Sequence, residues 1–129
     1  MTNAQQIAKV VKAYIRAIET QDKTDFRSIW SASPDCTLIS ITNQYHGLES
    51  IYQGFLIDGI QAAYAEIKLI ADSIDIREIN ENLAVVVFQY HTECIRRDTG
   101  EPYGIQGLET QVIVKEDGHW KLLHVHYSK

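Results

Sequence analysis

An apolar stripe at helical spacing predicts one long helix at the start of the chain. Over residues 3–21, large apolar side chains recur every three or four positions and the opposite face is polar. Thr2 and Gln5 have the spacing of a capping box, which predicts where this helix begins. The stripe consists of Ile7, Val10, Val11, Tyr14, Ile15 and Ile18.

Two shorter helices and two short strands are predicted next. A helix over about 24–32 should stop before Pro34, because the residue preceding a proline disfavours helical dihedrals. Alternation predicts a strand over 36–41 and a second, very short one at 45–46. A third helix should then run from Gly47 to the turn-like Asp58 and Gly59.

From residue 66 onward the pattern changes to strands that are joined by turns. Four long strands are predicted over 66–79, 83–96, 104–115 and 119–128, with Asn, Asp and Gly between them. Helices followed by antiparallel strands predict an α+β fold, as one domain over 1–129. Because long strands twist, we expect the sheet to curl around the helices into a cone with one open end. The last strand is too apolar for a frayed edge, so we expect it in the middle of the sheet.

Alternation along the strands predicts two faces with different roles. One face mixes polar and apolar groups, as a small-molecule pocket does. The other is apolar, although a sheet face in contact with water should be polar, so we expect a second subunit to cover it in a C2 dimer. A β-bulge would exchange the two faces. The expected pocket face carries Gln89, His91, Glu109, Gln111, Trp120, His124 and His126. The expected dimer face carries Val86, Phe88, Tyr90, Val112, Val114, Leu123, Val125 and Tyr127.

Four further residues complete the candidate ligand-binding set, namely Tyr14, Trp30, Phe55 and His46. Aromatic side chains on helices usually pack in the core, but in a cone they can line the open end. Each histidine of the pocket face has a structural alternative as a hydrogen-bonded residue of the sheet. Paired histidines two residues apart also occur in metal sites, but metal binding needs ligands that converge in space, so we expect no metal and no cofactor.

Composition excludes several classes of partner. The 129 residues carry a formal charge of −5 and the basic residues are scattered, which argues against a nucleic-acid surface. No apolar run approaches the length that spans a bilayer, and the N-terminal residues lack the features of a secretory signal. Cys36 and Cys94 have no metal-type spacing, and such unpaired thiols favour a cytoplasmic location.

The C-terminal segment D-G-H-W-K-L-L-H-V-H-Y-S resembles a known family. Trp120, His124, His126 and Ser128, with the preceding Glu109-Thr110, match a pattern of the nuclear-transport-factor-2-like superfamily in its SnoaL-like branch. The chain is similar there to the association (hub) domain of calcium/calmodulin-dependent protein kinase II and its free-standing bacterial relatives. The resemblance implies a cone-shaped, cystatin-like roll with a deep pocket, and assembly into homodimers or higher oligomers.

This chain differs from the hub pattern at two pocket arginines, whose positions align with His91 and Gln111. That puts the binding of carboxylate ligands in doubt. The first functional hypothesis is a small-molecule-binding or oligomerisation module without turnover. The alternative is a cofactor-independent isomerase or cyclase in which His126, His91 or Glu109 acts as general base. Neither hypothesis includes a nucleic-acid or membrane partner.

Overall fold

The computed structural model describes residues 1–129 and contains three helices, two of which pack against the inside of a curled sheet. Helix α1, Asn3–Thr20, begins at Thr2 with the predicted capping box, in which the Thr2 side chain accepts from the Gln5 amide. Its buried stripe includes Ile7, Val11 and Tyr14. Burial of each such side chain stabilises the fold by roughly 1.5–3 kcal/mol. Helix α2 is Lys23–Ser28, and helix α3 is Leu48–Ser50, which continues as a π-helix over Ile51–Gln61.

The seven strands form one mixed sheet. They are β1 Thr37–Ile39, β2 Gln44–His46, β3 Tyr64–Asn80, β4 Leu83–Arg96, β5 Pro102–Tyr103, β6 Gln106–Glu116 and β7 His119–Tyr127. The order across the sheet is β2-β1-β7-β6-β4-β3, and the short β5 pairs with β4. Only β1 and β7 run parallel. The predicted α+β class is therefore confirmed, and β7 lies inside the sheet between β1 and β6.

Helix α2 is shorter than the helix predicted over 24–32, because the backbone that follows it forms hydrogen bonds with the sheet. The Ser31 amide donates to the Leu122 carbonyl at 2.7 Å, and the Leu122 amide donates to the Ile29 carbonyl at 2.8 Å. Backbone groups that pair with β7 are not free to continue a helix.

No helix of the chain is both long and apolar enough to cross a membrane.

A β-bulge in β7 reverses the predicted faces of the last strand. Val112 pairs with His124 but the next residue of β6, Ile113, pairs with Leu122, so Leu123 is one extra residue. Trp120 and Leu122 point inward before the bulge, and Val125 and Tyr127 point inward after it. The prediction that His124 and His126 line the pocket is wrong for this reason, as is the prediction that Val125 and Tyr127 form the dimer face.

The predicted faces of β4 are also exchanged. Val86, Phe88 and Tyr90 are buried inside the curl, whereas Gln89 and His91 lie on the outer face. The predictions for these residues are wrong because β4 is apolar on both faces near Ala84–Phe88, so alternation does not reveal which side is buried. On β6 the predicted orientation agrees with the structure: Glu109 and Gln111 point inward.

Candidate functional site

The curled sheet encloses a cavity of about 340 Å³ between its inner face, helix α1 and the π-helix. The cavity opens beside the loop over 40–43, where Ile41, Thr42 and Asn43 are exposed. Its wall is mostly apolar and aromatic. Six of the seven tyrosines of the chain contribute to this wall, namely Tyr14, Tyr45, Tyr64, Tyr90, Tyr103 and Tyr127.

Glu109 is the only acidic residue in the wall of the cavity. It is 3% exposed, and the Gln111 Nε2 atom donates a hydrogen bond to its Oε2 at 2.8 Å. Burial raises the pKa of the Glu109 carboxyl to about 8, although the hydrogen bond from Gln111 and the nearby Tyr14 hydroxyl act in the opposite direction. The carboxyl is therefore mostly protonated at neutral pH.

Tyr14 brings a second polar group to the same place from helix α1. Its side chain is fully buried, and burial is the main cause of its raised pKa. The nearby charge of Glu109 is the second cause. The hydroxyl lies close enough to Glu109 for each to affect the pKa of the other, but it makes no hydrogen bond of normal geometry. A buried polar group without a partner costs about 1–3 kcal/mol, so a ligand that provides a partner would recover part of that free energy.

A chain of aromatic rings lines the same cavity. The Tyr127 ring meets Phe55 edge-on at 5.9 Å and Tyr90 at 6.1 Å, and Phe55 lies 6.5 Å from Tyr45. The Tyr90 hydroxyl donates to the Ser128 carbonyl at 2.7 Å, and burial raises its pKa to about 12. Burial raises the Tyr127 pKa as well, so the hydroxyls of Tyr90 and Tyr127 are neutral over the physiological pH range.

The π-helix forms one wall of the cavity and depends on a glycine. A Cβ atom on Gly54 would lie well inside the van der Waals distance of the Cε1 atom of Tyr45. The absence of a side chain at Gly54 therefore allows the Tyr45 ring to pack against the helix backbone. π-Helical segments are frequent at functional sites, where they widen a helix locally.

The far side of the cavity is held by arginines next to stacked tyrosines. The rings of Tyr64 and Tyr103 stack at 6.0 Å, with the Arg96 guanidinium 4.2 Å from the centre of the Tyr103 ring. Arg97 donates to the carbonyls of Gln61 and Tyr64, each at 2.9 Å. The end of the π-helix is thereby tied to the start of β3.

The predicted site residues fall into three groups. Tyr14, Phe55 and Glu109 lie together in the cavity wall. Gln111 is buried directly behind Glu109, and Trp30 is buried in the core with 4% exposure. Outside the cavity lie His46, Gln89, His91, His124 and His126, so the prediction that these five line the pocket is wrong.

The histidines outside the cavity have their own partners. His91 Nδ1 lies 2.8 Å from Asp72, and this hydrogen bond raises the His91 pKa. His124 Nδ1 lies 2.6 Å from the Thr37 hydroxyl, and burial, followed by the charge of His126, lowers the His124 pKa. His46 lies 3.6 Å from Asp35. Apart from His124 and His126, whose ring centroids lie 6.5 Å apart, the imidazoles are thus spread over the outside of the sheet.

Sequence reasoning missed five of the tyrosines in the cavity wall, which are Tyr45, Tyr64, Tyr90, Tyr103 and Tyr127. Tyr90 and Tyr127 were hidden by the exchange of faces on β4 and β7. A signal was available in the composition, because seven tyrosines against three phenylalanines is a large share of aromatic side chains that carry a hydroxyl. Such side chains suit an apolar wall, because each has an apolar ring with a hydroxyl at its tip.

A curled mixed sheet around a long N-terminal helix, with a cavity inside the curl, defines the class of cone-shaped pocket domains. The chain belongs to the SnoaL-like domain family, whose model matches residues 7–129. This confirms the resemblance to the nuclear-transport-factor-2-like superfamily. Among curated proteins, no sequence match was found.

Solved structures of other proteins share this fold. A nuclear-transport-factor-2-like superfamily protein from Salmonella enterica subsp. enterica serovar Typhimurium str. LT2 is 28% identical, with a TM-score of 0.91 over 96% of this chain and 88% of that chain. An association-domain-like protein of the calcium/calmodulin-dependent protein kinase II type from Xanthomonas campestris is 19% identical, with a TM-score of 0.82 over 99% and 88%.

An enzyme has the same fold. A hexachlorocyclohexane dehydrochlorinase from Novosphingobium barchaimii LL02 is 11% identical to the chain, with a TM-score of 0.84 over 96% of this chain and 84% of that chain. At that identity the similarity shows the fold alone. The architecture therefore hosts both association modules and enzymes, and function must be argued from the site.

Proposed function

We propose that this domain binds a small, largely apolar organic molecule in the cavity, with Glu109 as its main polar contact. The observation that carries the proposal is an apolar and aromatic cavity of about 340 Å³ with one buried carboxyl in its wall. This volume lies within the range of about 300–1,000 Å³ that is typical of small-molecule sites, which are mostly apolar with few polar groups. The unpaired hydroxyl of Tyr14 supports the same conclusion.

Binding is tested with N-phenyl-1-naphthylamine, a neutral probe whose fluorescence rises in apolar surroundings. We expect saturable binding of one probe per chain. Ile60→Trp places a larger side chain in the cavity wall and should weaken binding, whereas Ile79→Trp changes a residue that is 56% exposed outside the cavity and should not. No saturation, or equal binding by both variants, would contradict the proposal.

A second candidate function is cofactor-independent acid–base catalysis by Glu109. A general acid or base works best when its pKa lies near the operating pH, and burial raises the Glu109 pKa to about 8. His126 and His91, the other two predicted bases, lie outside the cavity. Glu109 is therefore the base that this candidate requires, with Tyr14 as a neighbouring hydrogen-bond donor.

The catalytic candidate is tested with a simple ketone. In D₂O, wild-type protein should accelerate exchange of the hydrogens next to the carbonyl of cyclohexanone, as followed by NMR, and the rate should rise with pH up to about 8 as Glu109 ionises. Glu109→Gln should remove the acceleration. The matched control is Glu78→Gln, at an exposed position on β3, and it should exchange at the wild-type rate. Equal rates in the Glu109 variant and wild type would exclude this candidate.

Self-association is the second part of the proposed function. The outer face of the sheet carries half-buried Val85, Val87, Val112 and Val114, which form an apolar centre that no helix covers. A water-facing antiparallel sheet is usually polar, so a second copy of the chain is the partner that we propose for this face.

The unpaired, buried cysteines are consistent with the cytoplasmic location expected from the sequence.

The dimer is tested by size-exclusion chromatography with light scattering. Wild-type protein should be dimeric at micromolar concentration. Val112→Glu puts a charge in the centre of the outer face and should yield monomers that still bind the probe, while Ile79→Glu should remain dimeric. A monomeric wild-type protein would rule out the proposed interface.

A further inference from the structure

The groups around Glu109 indicate what kind of ligand the cavity takes, on the assumption that the proposed binding function is correct. We infer that the ligand is a small organic cation, such as a primary amine on an apolar body, whose ammonium group pairs with the Glu109 carboxylate. This inference depends on the charges in the wall, on the hydrogen-bond donors beside the carboxyl and on the arrangement of the aromatic rings.

The charges in the wall favour a cation. The only basic side chain among the lining residues is that of Lys129, which is exposed at the opening, and the only acidic one is Glu109, which is buried in the interior. Neither Arg96 nor Arg97 lines the cavity: the Arg96 guanidinium lies over the Tyr103 ring, and Arg97 donates to the carbonyls of Gln61 and Tyr64. An anionic ligand would therefore meet no positive charge in the interior, where an unpaired charge is most costly.

The neighbours of Glu109 are arranged for an ionised carboxylate. Gln111 donates to Oε2, and the Tyr14 hydroxyl lies beside the carboxyl with no other partner. The hydrogen bond from Gln111 and the nearby hydroxyl of Tyr14 both favour the charged form, and burial alone opposes it. The missing element is a positive charge in the cavity. An ammonium group also brings three donors, which can serve both the carboxylate and the Tyr14 oxygen.

The aromatic rings complete the environment of a cation. Tyr45, Phe55, Tyr127 and Tyr90 follow one another at centroid distances of 5.9 to 6.5 Å, with tilted or edge-on contacts. The rings therefore present their faces in several directions around one space. A cation within about 6 Å of a ring centroid is attracted to the negative face of the ring.

Binding of a protonated amine has a defined proton balance. Below the pKa of Glu109 the free protein holds a carboxylic acid, so formation of the carboxylate–ammonium pair releases one proton to solvent. The titratable groups that face Glu109 are Tyr14, Tyr90 and Tyr127, and their pKa values are raised above that of an ordinary phenol. None of them changes its charge between pH 6 and 8, so the released proton reports on Glu109.

The test compares two probes of equal size and shape, 2-phenylethylamine and 2-phenylethanol, by titration calorimetry at pH 7 in two buffers with different ionisation enthalpies. We expect the amine to bind about tenfold or more tightly than the alcohol, because a charge-assisted hydrogen bond is stronger than a neutral one. Amine binding should release close to one proton and alcohol binding none. Amine affinity should rise as the pH increases from 6 to 8, while alcohol affinity should stay constant.

Variants separate the charge from the shape of the cavity. Glu109→Gln keeps the size of the side chain and should reduce amine affinity about tenfold or more, while alcohol affinity changes less than about twofold. Glu78→Gln should leave both affinities unchanged. The pH series on wild-type protein provides the same test without any substitution, and therefore stands even if the Glu109 variant folds poorly.

The outcomes distinguish this inference from the function on which it rests. Equal or tighter binding of the alcohol, or amine binding without proton release, would overturn the cationic ligand and leave the proposed binding function in place. Failure of both probes, together with failure of N-phenyl-1-naphthylamine, would overturn both. Tighter amine binding with proton release that is lost in Glu109→Gln would support the inference.

Discussion

On the inner and the outer face of the same sheet, ionisable side chains have raised pKa values for opposite reasons. Glu109 on the inner face has no ion-pair partner, and burial raises its pKa to about 8. His91 on the outer face is solvated, and a hydrogen bond from its ring to Asp72 is the main cause of its raised pKa. A raised pKa therefore has two different meanings, because desolvation disfavours a charge while a nearby opposite charge favours it. Only the first condition creates a polar group that a ligand can satisfy.

The largest expected difference between the faces is in packing. Phe88→Ala should lower the free energy of unfolding by about 3–5 kcal/mol, because it leaves a hole in the core. Its neighbour on β4, Gln89, is exposed on the outer face, and Gln89→Ala should change stability by less than about 0.5 kcal/mol. Urea denaturation of both variants measures this. Similar losses for the two would contradict the assignment of the faces on β4.

The next largest effect is the dependence of stability on pH. The Glu109 pKa is raised from 4.5 to about 8 in the folded chain. Between these values the unfolded chain has lost the proton and the folded chain still holds it, so stability falls as pH rises, by up to about 1.4 kcal/mol per pH unit. The loss is complete above pH 8, and the full stability is present below pH 4.5.

Glu109→Gln isolates this contribution. Urea denaturation at several pH values from 5 to 8 should show that the variant gains stability relative to wild type as pH rises. The difference between the two proteins is the relevant quantity, because His124, whose pKa is lowered, contributes a slope of opposite sign to both. A constant difference across this pH range would mean that Glu109 ionises normally in the folded chain.

A smaller effect is expected where the wall of the cavity depends on a glycine. Gly54→Ala places a methyl group against the Tyr45 ring and should destabilise the fold by about 1–3 kcal/mol. The displaced ring should also weaken binding of N-phenyl-1-naphthylamine. Adding Tyr45→Ala to Gly54→Ala removes the clash and should recover part of the stability. Failure of the second substitution to help would show that the ring is not the group that Gly54 accommodates.

The smallest effect is expected at the outer face. Asp72→Asn removes the charged partner of His91, so the His91 pKa should decrease toward that of an ordinary histidine, as followed by NMR titration of the imidazole. Stability should change by less than about 1 kcal/mol, because both side chains are partly exposed to solvent, which weakens the pair. The cavity should be unaffected, with unchanged binding of the neutral probe. An unchanged His91 titration would show that the pair does not persist in solution.

Local patterns were sufficient wherever a single face of an element is buried. Helix α1 follows from its apolar stripe and from the Thr2–Gln5 capping box, both of which are local features. The orientation of β6 follows from its alternation, which places Glu109 and Gln111 inside. In α1 the arrangement is determined by burial of the apolar side. On β6 the inner side carries the two polar residues and the outer side carries Val112 and Val114, so its orientation agrees with a pocket that has few polar groups and not with burial of the more apolar side.

Local patterns were insufficient where both faces are apolar or where the register shifts. On β4 the segment Ala84–Phe88 is apolar at every position, so either face can be the inner one. On β7 the extra residue Leu123 exchanges the faces in the middle of the strand, which moves Tyr127 into the cavity and His126 out of it. The pairing of β7 with β6 decides this, and that pairing is a property of two strands together.

The amino-acid sequence by itself determined the α+β class, the long first helix, the family and the presence of an acidic group on β6, because these depend on local periodicity and residue type. The tertiary structure alone decided that five further tyrosines, not the histidines, line the cavity together with Tyr14 and that acid. The physical reason is that the face of a strand depends on its register with neighbouring strands. The raised pKa of Glu109 likewise arises only when the sheet curls and removes water from the carboxyl.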